Sequence, residues 1–313
     1  MTIDPGLRRL AMRTLLAAFR GHTAPEWAID LVQQGLAGYT LFGFNIVDTA
    51  QVTALTGQLR AARPGVLLAI DEEGGDVTRL AHRTGSPYPG NAALGAIDDL
   101  GLTRAVYSSI GSELVKTGLN LNLAPTVDVN IATDNPVIGT RSFGAQPFKV
   151  ALHAAAAVAG LQEAGIAACA KHFPGLGTLA VSTDKRPYVR GHVRDADLAP
   201  YRAAIEADVP CVMIGHGVYP SLGPRRAVLE PATYKLLRGS LGFRGITITD
   251  SLSVVHGRAA AWAPAAARAG ADLLLFNDPR DASRAIAALL PLARSGALDT
   301  HVARILRLKA AID

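Results

Sequence analysis

Short apolar runs alternate with longer amphipathic segments along this 313-residue chain. Short, continuously apolar runs are typical of parallel strands buried on both faces, whereas apolar residues at three- and four-residue spacing predict helices. The predicted strands are Gly38–Phe42, Val66–Ile70, Leu119–Leu123, Ala167–Ala170, Cys211–Ile214, Ile246–Ile248 and Leu273–Phe276. The predicted helices include Thr49–Ala62, Leu102–Thr117, Phe148–Ala164 and Ala196–Glu206. This alternation indicates an α/β fold.

Polar residues at or just beyond the ends of these strands favour a closed barrel. They are Asp71, Asn122, Lys171, His172, His216 and Asp250. In a (β/α)8 barrel the carboxyl ends of all strands converge on one mouth, where the active site is built. An open doubly wound sheet, which is the alternative, gathers fewer of them around a single crevice. We therefore predict a TIM-type barrel whose eighth strand is irregular or missing.

The composition predicts one domain that spans residues 1–313. A hydrophobic content of 49% is sufficient for a large buried core. Glycine and proline are spread along the chain, and no linker, charge block or internal repeat divides it.

The charge pattern argues against a nucleic-acid or membrane partner. The formal net charge is +5, but the basic residues are scattered singly or in pairs such as Arg8-Arg9, whereas a nucleic-acid surface usually shows a clustered stripe. Near the N-terminus, Arg13 interrupts the short apolar stretch, so neither a secretory signal nor a membrane span is predicted.

The cysteines and histidines show no pattern of a disulfide framework or a metal site. Cys169 and Cys211 each lie within an apolar run, which is the ordinary setting of a small buried thiol. The eight histidines show no paired ligand spacing. We therefore expect a cytoplasmic protein without a metal or other cofactor, and we make no prediction of its oligomeric state.

The segment IDEEGGDVTRL places a carboxylate and a guanidinium near one strand end. Asp71 ends the strand, glycines turn the backbone, and Arg79 follows. A carboxylate accepts hydrogen bonds from sugar hydroxyls, and an arginine supplies directed donors, so the pair suits a polyol ligand. An aspartate that caps the next helix and a surface arginine would explain the same residues.

Lys171 and His172 are adjacent at the end of another strand and precede a loop rich in proline and glycine. Both side chains are candidates for ligand contacts at the mouth. A lysine at a barrel mouth also suggests a Schiff-base enzyme, although that chemistry needs a proton relay that the sequence does not identify.

Asp250 ends the strand that begins at Ile246 and precedes Ser-Leu-Ser, a plausible helix entry. It is therefore either an N-cap residue or a nucleophile. In retaining glycoside hydrolysis, a carboxylate attacks the anomeric carbon while an acid about 5 Å away protonates the leaving oxygen.

Six motifs, in this order and spacing, resemble glycoside hydrolase family 3. They are IDEEGGDVTRL, LNLNLAPTVDVN, NPVIGTRSFG, KHFPGLGT, VMIGHGVYP and ITITDSLS. The similarity is strongest to the single-domain bacterial β-N-acetylglucosaminidases that trim cell-wall muropeptides. It implies a carbohydrate substrate, either an aminosugar glycoside or a muropeptide fragment, and it implies that Asp250 is the nucleophile. The residues that it implies as sugar contacts are Asp71, Arg79, Arg141, Lys171 and His172.

The loop after KHFPG departs from the family pattern. Members of that branch usually carry a histidine at the place of Leu176 and an Asp-Ser-His sequence further on, whose histidine is the acid/base. Here the corresponding positions hold Ser182 and Asp184. Asp184 is the candidate acid/base, but nearby Lys185 and Arg186 would lower the pKa of its carboxyl, whereas a general acid needs a raised pKa.

Two consequences of this departure stay open at the level of sequence. Loss of an acid/base typically costs about a hundred- to ten-thousand-fold in rate, so a weakly active or non-catalytic sugar-binding protein is the second hypothesis. His192 lies beyond the loop and is a poor replacement. Phe44 and Asp76 also stand where the family often has arginine. Either both changes make the mouth better suited to a neutral glycoside than to an anionic one, or they are exchanges on a solvated surface.

Overall fold

The computed structural model describes residues 4–132, 135, 137–183, 185–186, 188–254 and 257–312. The strands within these ranges are β1 Leu15–Ala17, β2 Gly38–Leu41, β3 Leu67–Ile70, β4 Leu121–Asn122, β5 Ala167–Phe173, β6 Cys211–Ile214, β7 Ile246–Thr249 and β8 Leu274–Leu275. The α-helices are α1 Pro5–Met12, α2 Glu26–Gln34, α3 Thr49–Ala62, α4 Asn91–Ile97, α5 Leu100–Lys116, α6 Pro147–Glu163, α7 Ala199–Glu206, α8 Pro231–Lys235, α9 Ala259–Ala269, α10 Pro279–Arg294 and α11 Asp299–Ile312.

The strands form one parallel sheet that curls into a nearly closed barrel. Their order is β7-β6-β5-β4-β3-β2-β1-β8, so strands that are consecutive in sequence are paired in the sheet except β7 and β8, and the pairing of β8 with β1 closes the other side. The outer strands β7 and β8 meet through a single parallel bridge between Ile248 and Leu273, which leaves one seam of the barrel unsealed. The predicted TIM-type barrel is confirmed, and the open doubly wound sheet is excluded.

The strand that the sequence pattern missed is β1. It is only three residues long and lies in the N-terminal apolar stretch after Arg13. It pairs with β2 on one side and β8 on the other, with Leu16 opposite Gly38 and Leu275 respectively. A strand this short lacks a pattern of its own, and the barrel neighbours on both sides define it.

Proline and side-chain caps determine where several helices begin. The predicted helix Ala196–Glu206 is divided, because a 3-10 turn covers Asp195–Leu198 and α7 begins only at Ala199. Pro200 follows in the first turn, where a residue without a backbone N–H is tolerated. The predicted bounds of α3 are confirmed; Asp48 caps this helix by accepting a hydrogen bond from the backbone N–H of Gln51 at 2.8 Å.

Apolar side chains fill both the inside of the barrel and the layer between sheet and helices. The inner cluster includes the two free cysteines, Cys169 and Cys211, which are buried as predicted. Ile305 and Leu308 of α11 pack against this inner cluster. Among the described helices, none combines the length and the apolar character needed to cross a membrane.

Candidate active site

A cavity of about 250 Å³ opens at the mouth formed by the carboxyl ends of the strands. It brings together every described residue that the sequence singled out for sugar chemistry. They are Asp71, Arg79, Arg141, Lys171, His172 and Asp250. The remaining candidate, Asp184, lies outside the described residues, whereas its neighbour Thr183 lines the cavity. The chemical roles of all these residues stay predictions.

A buried network of ion pairs forms one wall of the cavity. The Lys171 ammonium lies 2.7 Å from Asp71 Oδ1 and 2.7 Å from Glu73 Oε1. Arg141 donates two hydrogen bonds to the Glu73 carboxylate, from Nε to Oε2 at 2.9 Å and from Nη2 to Oε1 at 2.7 Å. Arg79 Nη2 lies 3.3 Å from Asp71 Oδ2. Bidentate and doubly shared pairs of this kind hold their side chains in fixed positions.

Glu73 is the member of this network that sequence reasoning missed. It stands two residues after Asp71, and alternate residues of extended chain point to the same side. This two-residue spacing is the feature of the sequence that could have identified Glu73 as a site residue. Thr126 also donates to Glu73 Oε2 at 3.0 Å, so the carboxylate is fully engaged by protein donors.

The network keeps its acids ionised and its lysine protonated. Burial alone would raise the pKa values of Asp71 and Glu73, but the neighbouring cations outweigh burial and hold both pKa values below the ordinary range. Burial would likewise lower the pKa of Lys171, but Asp71 and Glu73 raise it above its usual value. A Schiff-base lysine needs a neutral amine, so these charges disfavour that alternative.

The loop after β3 is held by hydrogen bonds to its backbone. Asn122 accepts from Glu72 N–H at 3.0 Å and donates to the Glu72 carbonyl at 2.8 Å. The Glu72 carboxylate accepts from the backbone N–H groups of Arg79 and Leu80 at 2.9 and 3.1 Å. Asn122 is thus a support for the loop that carries Asp71 and Arg79. Asp76, further along this loop, accepts a hydrogen bond from the Thr140 hydroxyl.

Asp128, which is fully buried, orients His172. Its Oδ2 lies 2.9 Å from His172 Nδ1, and its Oδ1 accepts from the backbone N–H groups of His172 and Leu176 at 3.3 and 2.7 Å. Because Nδ1 is engaged, Nε2 is the ring nitrogen available to a ligand in the cavity. Asp128 belongs to the LNLNLAPTVDVN segment, but nothing local marked it as the partner of a histidine 44 residues away.

Asp250 directly follows β7 and is half-buried at the cavity. Its backbone N–H donates to the Ile214 carbonyl at 2.9 Å, and its Oδ1 accepts from Ser251 N–H at 2.8 Å. His216, which is buried, lies 2.9 Å through Nε2 from the Ser251 carbonyl. Its Nδ1 is buried and has no hydrogen-bond partner in the described part of the chain. Burial is the main cause that lowers the pKa of His216, so the ring is held neutral.

Leu176, in the loop after β5, stands where the family motif usually carries a histidine other than the acid/base, and its surroundings are apolar. Leu176 is buried, lines the cavity and packs in a small cluster with Ile138, Leu179 and Val189. His192 is exposed, does not line the cavity, and bonds through its backbone to the Thr178 hydroxyl. Neither position supplies an imidazole to the cavity.

Comparison with known proteins identifies the family. Residues 7–308 match the glycosyl hydrolase family 3 N-terminal domain. A β-hexosaminidase of Stenotrophomonas maltophilia is 35% identical over 293 residues, which cover 86% of this chain and 87% of the relative. β-Hexosaminidase A of Pseudoalteromonas piscicida is 34% identical over 274 residues, but the aligned part is 79% of this chain and only 44% of that protein.

Solved structures agree in fold over nearly the whole chain. A family 3 β-N-acetylglucosaminidase from Paenibacillus sp. superposes with a TM-score of 0.91 and 34% identity, covering 99% of this chain and 63% of that one. A β-N-acetylhexosaminidase from Beutenbergia cavernae gives a TM-score of 0.88 at 30% identity and covers 99% of both chains.

The barrel, the cavity at its mouth and these relatives lead to one assignment. The predictions of the family and of a glycosidase related to β-hexosaminidases are confirmed. The chain belongs to glycosyl hydrolase family 3, through the N-terminal domain that residues 7–308 match.

Proposed function

We propose that this protein is a retaining glycosidase that removes terminal β-linked N-acetylglucosamine, or a related hexose, through a glycosyl-enzyme on Asp250. One observation carries the proposal. Among the described residues that line the cavity, Asp71 and Glu73 are both locked in ion pairs, whereas Asp250 is the carboxylate without one. A carboxylate that is not neutralised by a cation keeps its lone pairs available for attack on the anomeric carbon.

The wall of the cavity that the ion-pair network forms suits the binding of a terminal sugar. The Asp71 carboxylate accepts hydrogen bonds from hydroxyl groups, and Lys171, Arg79 and Arg141 are donors. His172 is oriented by Asp128 and offers Nε2. We expect these groups to hold the ring while Asp250 attacks, after which water releases the sugar with its configuration retained.

Departure of the aglycone requires a proton, and we propose Asp184 as its source. The residue before it in sequence, Thr183, lines the cavity, which supports this assignment. A carboxylic acid serves this role in most glycosidases, provided that its pKa is raised. Proximity to the Asp250 carboxylate would act in that direction, against the charges of Lys185 and Arg186.

Covalent labelling tests the nucleophile. A 5-fluoro-N-acetylglucosaminyl fluoride should form a stable adduct on the peptide that contains Asp250, detected by mass spectrometry, and Asp250→Asn should abolish the adduct. Turnover of 4-nitrophenyl β-N-acetylglucosaminide should be lost in the same variant. If the wild-type protein neither forms the adduct nor cleaves the aryl glycoside, the proposal is wrong.

A sugar-binding protein with weak or no hydrolysis is the second candidate. It is favoured by the loop after β5, where Ser182 and Asp184 hold the positions of the family's acid/base dyad and no histidine stands between Phe173 and Gly191. Leaving-group dependence separates the two candidates. An effective acid should narrow the rate difference between aryl glycosides and disaccharides, and Asp184→Asn should widen it and remove one limb of the pH profile. Binding of N-acetylglucosamine without turnover of either substrate would support the second candidate.

We also propose that the protein acts in the cytoplasm. The two free, fully buried thiols, Cys169 and Cys211, support a reducing compartment. Fractionation of the source cells with an antibody against this chain would test the proposal, and recovery of the protein outside the cytoplasmic fraction would contradict it.

A further inference from the structure

Three side chains are stacked in layers on one arc of the barrel mouth. The Arg20 guanidinium lies 4.9 Å from the centroid of the Phe44 ring. The Phe44 and Phe42 rings are stacked with centroids 5.4 Å apart and an interplanar angle of 26°. Arg20 follows β1, Phe42 directly follows β2, and Phe44 lies in the 3-10 turn Gly43–Asn45. Both phenylalanines are only half-buried, which is unusual for two adjacent large apolar side chains.

A single buried asparagine fixes the turn against the segment that carries Arg20. Asn45 Oδ1 accepts from Phe42 N–H at 3.0 Å. Asn45 Nδ2 donates to the carbonyls of Phe19 and Gly21 at 2.9 and 3.0 Å, on either side of Arg20. All of the polar atoms of this amide are thus engaged between the two loops. The stack is therefore preorganised, which lowers the entropic cost of binding a ligand against it.

The stack joins two cavities. Phe42 lines the cavity that contains Asp250, whereas Arg20 lines a second cavity of about 260 Å³. Asn277, just beyond β8, lines both of them. The second cavity continues over Asp278, Pro279 and Arg280. Because Asn277 is common to both linings, a ligand longer than the first cavity would extend past Phe42 and Asn277 toward the second cavity.

This path leads away from the wall that suits the terminal sugar. The acids and arginines of the ion-pair network lie on the segments after β3 and β4, and Lys171 and His172 lie near the carboxyl end of β5. The stack and the second cavity lie on the arc of β8, β1 and β2, which are consecutive neighbours in the barrel. The aglycone, which is the group that leaves the anomeric carbon, must lie on the side of the cavity that the terminal sugar does not occupy.

We propose that Phe42, backed by Phe44 and Arg20, is the platform that binds the aglycone, and that this aglycone is a second pyranose ring whose apolar face covers Phe42. An exposed aromatic face beside polar groups suits a sugar, which has C–H groups on one face and hydroxyls at its edge. Asn277 and the groups of the second cavity supply the hydrogen bonds at that edge. This inference rests on the proposed glycosidase function, because it assigns the other half of the same site.

Binding measurements on the Asp250→Asn protein test the platform without turnover. Calorimetry would compare N-acetylglucosamine with its β-1,4-linked disaccharide. The disaccharide should bind more tightly, and Phe42→Leu should weaken disaccharide binding by about fivefold to tenfold while leaving the monosaccharide within about twofold. Phe42→Tyr should restore the disaccharide affinity. Phe148→Leu, a change of an exposed phenylalanine on α6, is the matched control and should change neither affinity.

Kinetics on the protein with Asp250 intact give a second readout. Phe42→Leu should lower kcat/KM for the disaccharide by a similar factor and leave kcat/KM for N-acetylglucosaminyl fluoride, whose leaving group has no ring, nearly unchanged. Equal losses for both substrates, or disaccharide binding no tighter than that of the monosaccharide, would overturn the platform while the proposed function stood. If neither sugar binds, the proposed function itself is wrong.

Discussion

Two clusters of buried acids and bases lie at opposite ends of this barrel and have different surroundings. At the amino ends of β7 and β8, Asp272 is fully buried. Its Oδ1 meets His301 and Arg304 at 2.8 and 2.9 Å, and its Oδ2 meets Arg238 at 2.5 Å and Thr247 N–H at 2.9 Å. At the carboxyl ends, the network around Lys171 lines an open cavity.

The comparison shows that a buried charge cluster without access to a cavity can only stabilise the fold, whereas a similar cluster that lines a cavity can also bind a ligand. None of the residues that hold Asp272 lines the cavity at the mouth. Protein donors occupy both oxygens of Asp272, so the cluster can fasten α11 and Arg238 to the sheet and has no lone pair left for a ligand. The cluster at the mouth uses the same chemistry but presents Asp71 and Lys171 to a space that a sugar can enter.

The largest effect should come from Asp250→Asn, which belongs to neither cluster. We expect kcat/KM to fall by about 10⁴- to 10⁶-fold, as when a nucleophile is deleted. The free energy of unfolding should change by no more than about 1 kcal/mol, since the side chain is half-buried and the amide oxygen can still accept from Ser251 N–H. Steady-state kinetics and urea unfolding check the two parts. A large loss of stability would place Asp250 among the structural acids instead.

Asp272→Asn should have the next largest effect, on stability alone. Removal of the charge leaves Arg238, Arg304 and His301 largely buried without their anion, and we expect a loss of about 3–5 kcal/mol in the free energy of unfolding. The kcat/KM of the folded protein should stay near that of the wild type. Asp195→Asn, which removes an exposed partner of Arg202, is the control and should cost less than about 1 kcal/mol. Equal costs for the two variants would contradict the comparison.

Glu73→Gln should affect both properties, because Glu73 is buried yet belongs to the mouth. We expect a loss of about 3 kcal/mol in the free energy of unfolding, since Arg141 and Lys171 lose a buried anion. Sugar affinity should also fall, because Arg141 loses its bidentate partner and Lys171 keeps only one of its two anions, Asp71. Calorimetry with N-acetylglucosamine and urea unfolding measure the two effects. Unchanged affinity at reduced stability would make this network purely structural.

The pKa directions of these acids predict how stability depends on pH. The pKa values of Asp71, Glu73 and Asp272 are lowered in the folded protein, chiefly because neighbouring cations and hydrogen bonds outweigh burial. Their contribution is therefore complete above the ordinary carboxyl pKa of about 4 and is lost as the pH falls below it. Unfolding midpoints measured from pH 6 to pH 3 should fall steeply near the lower end, and less steeply in Asp272→Asn.

The smallest effect should come from His216→Gln. Burial lowers the pKa of His216, so the unfolded chain takes up a proton below about pH 6.5 while the folded protein does not. His216 therefore destabilises the fold progressively as the pH falls below about 6.5. The glutamine variant should lose this part of the pH dependence. An identical slope between pH 7 and pH 5 in both proteins would show that His216 does not stay neutral.

The chain pattern was sufficient to predict the barrel and most of the residues at its mouth. Parallel strands buried on both faces are continuously apolar, and their polar end residues must gather where the strands converge. Asp71, Lys171, His172 and Asp250 follow from that rule alone. Arg79 and Arg141 were implied as sugar contacts by the family motifs, and the structure brings them to the same cavity.

Tertiary structure decided which groups work together. β1 is defined by its pairing with β2 and β8, and its three residues carry no pattern of their own. Asp128 orients a histidine from another strand, Asp272 gathers cations from separate elements, and the stack of Arg20 on Phe44 joins two loops. The residues next to a side chain in sequence determine the local backbone conformation and thus the direction in which the side chain points. Its charge state and its partners depend on the groups that folding brings within a few ångströms.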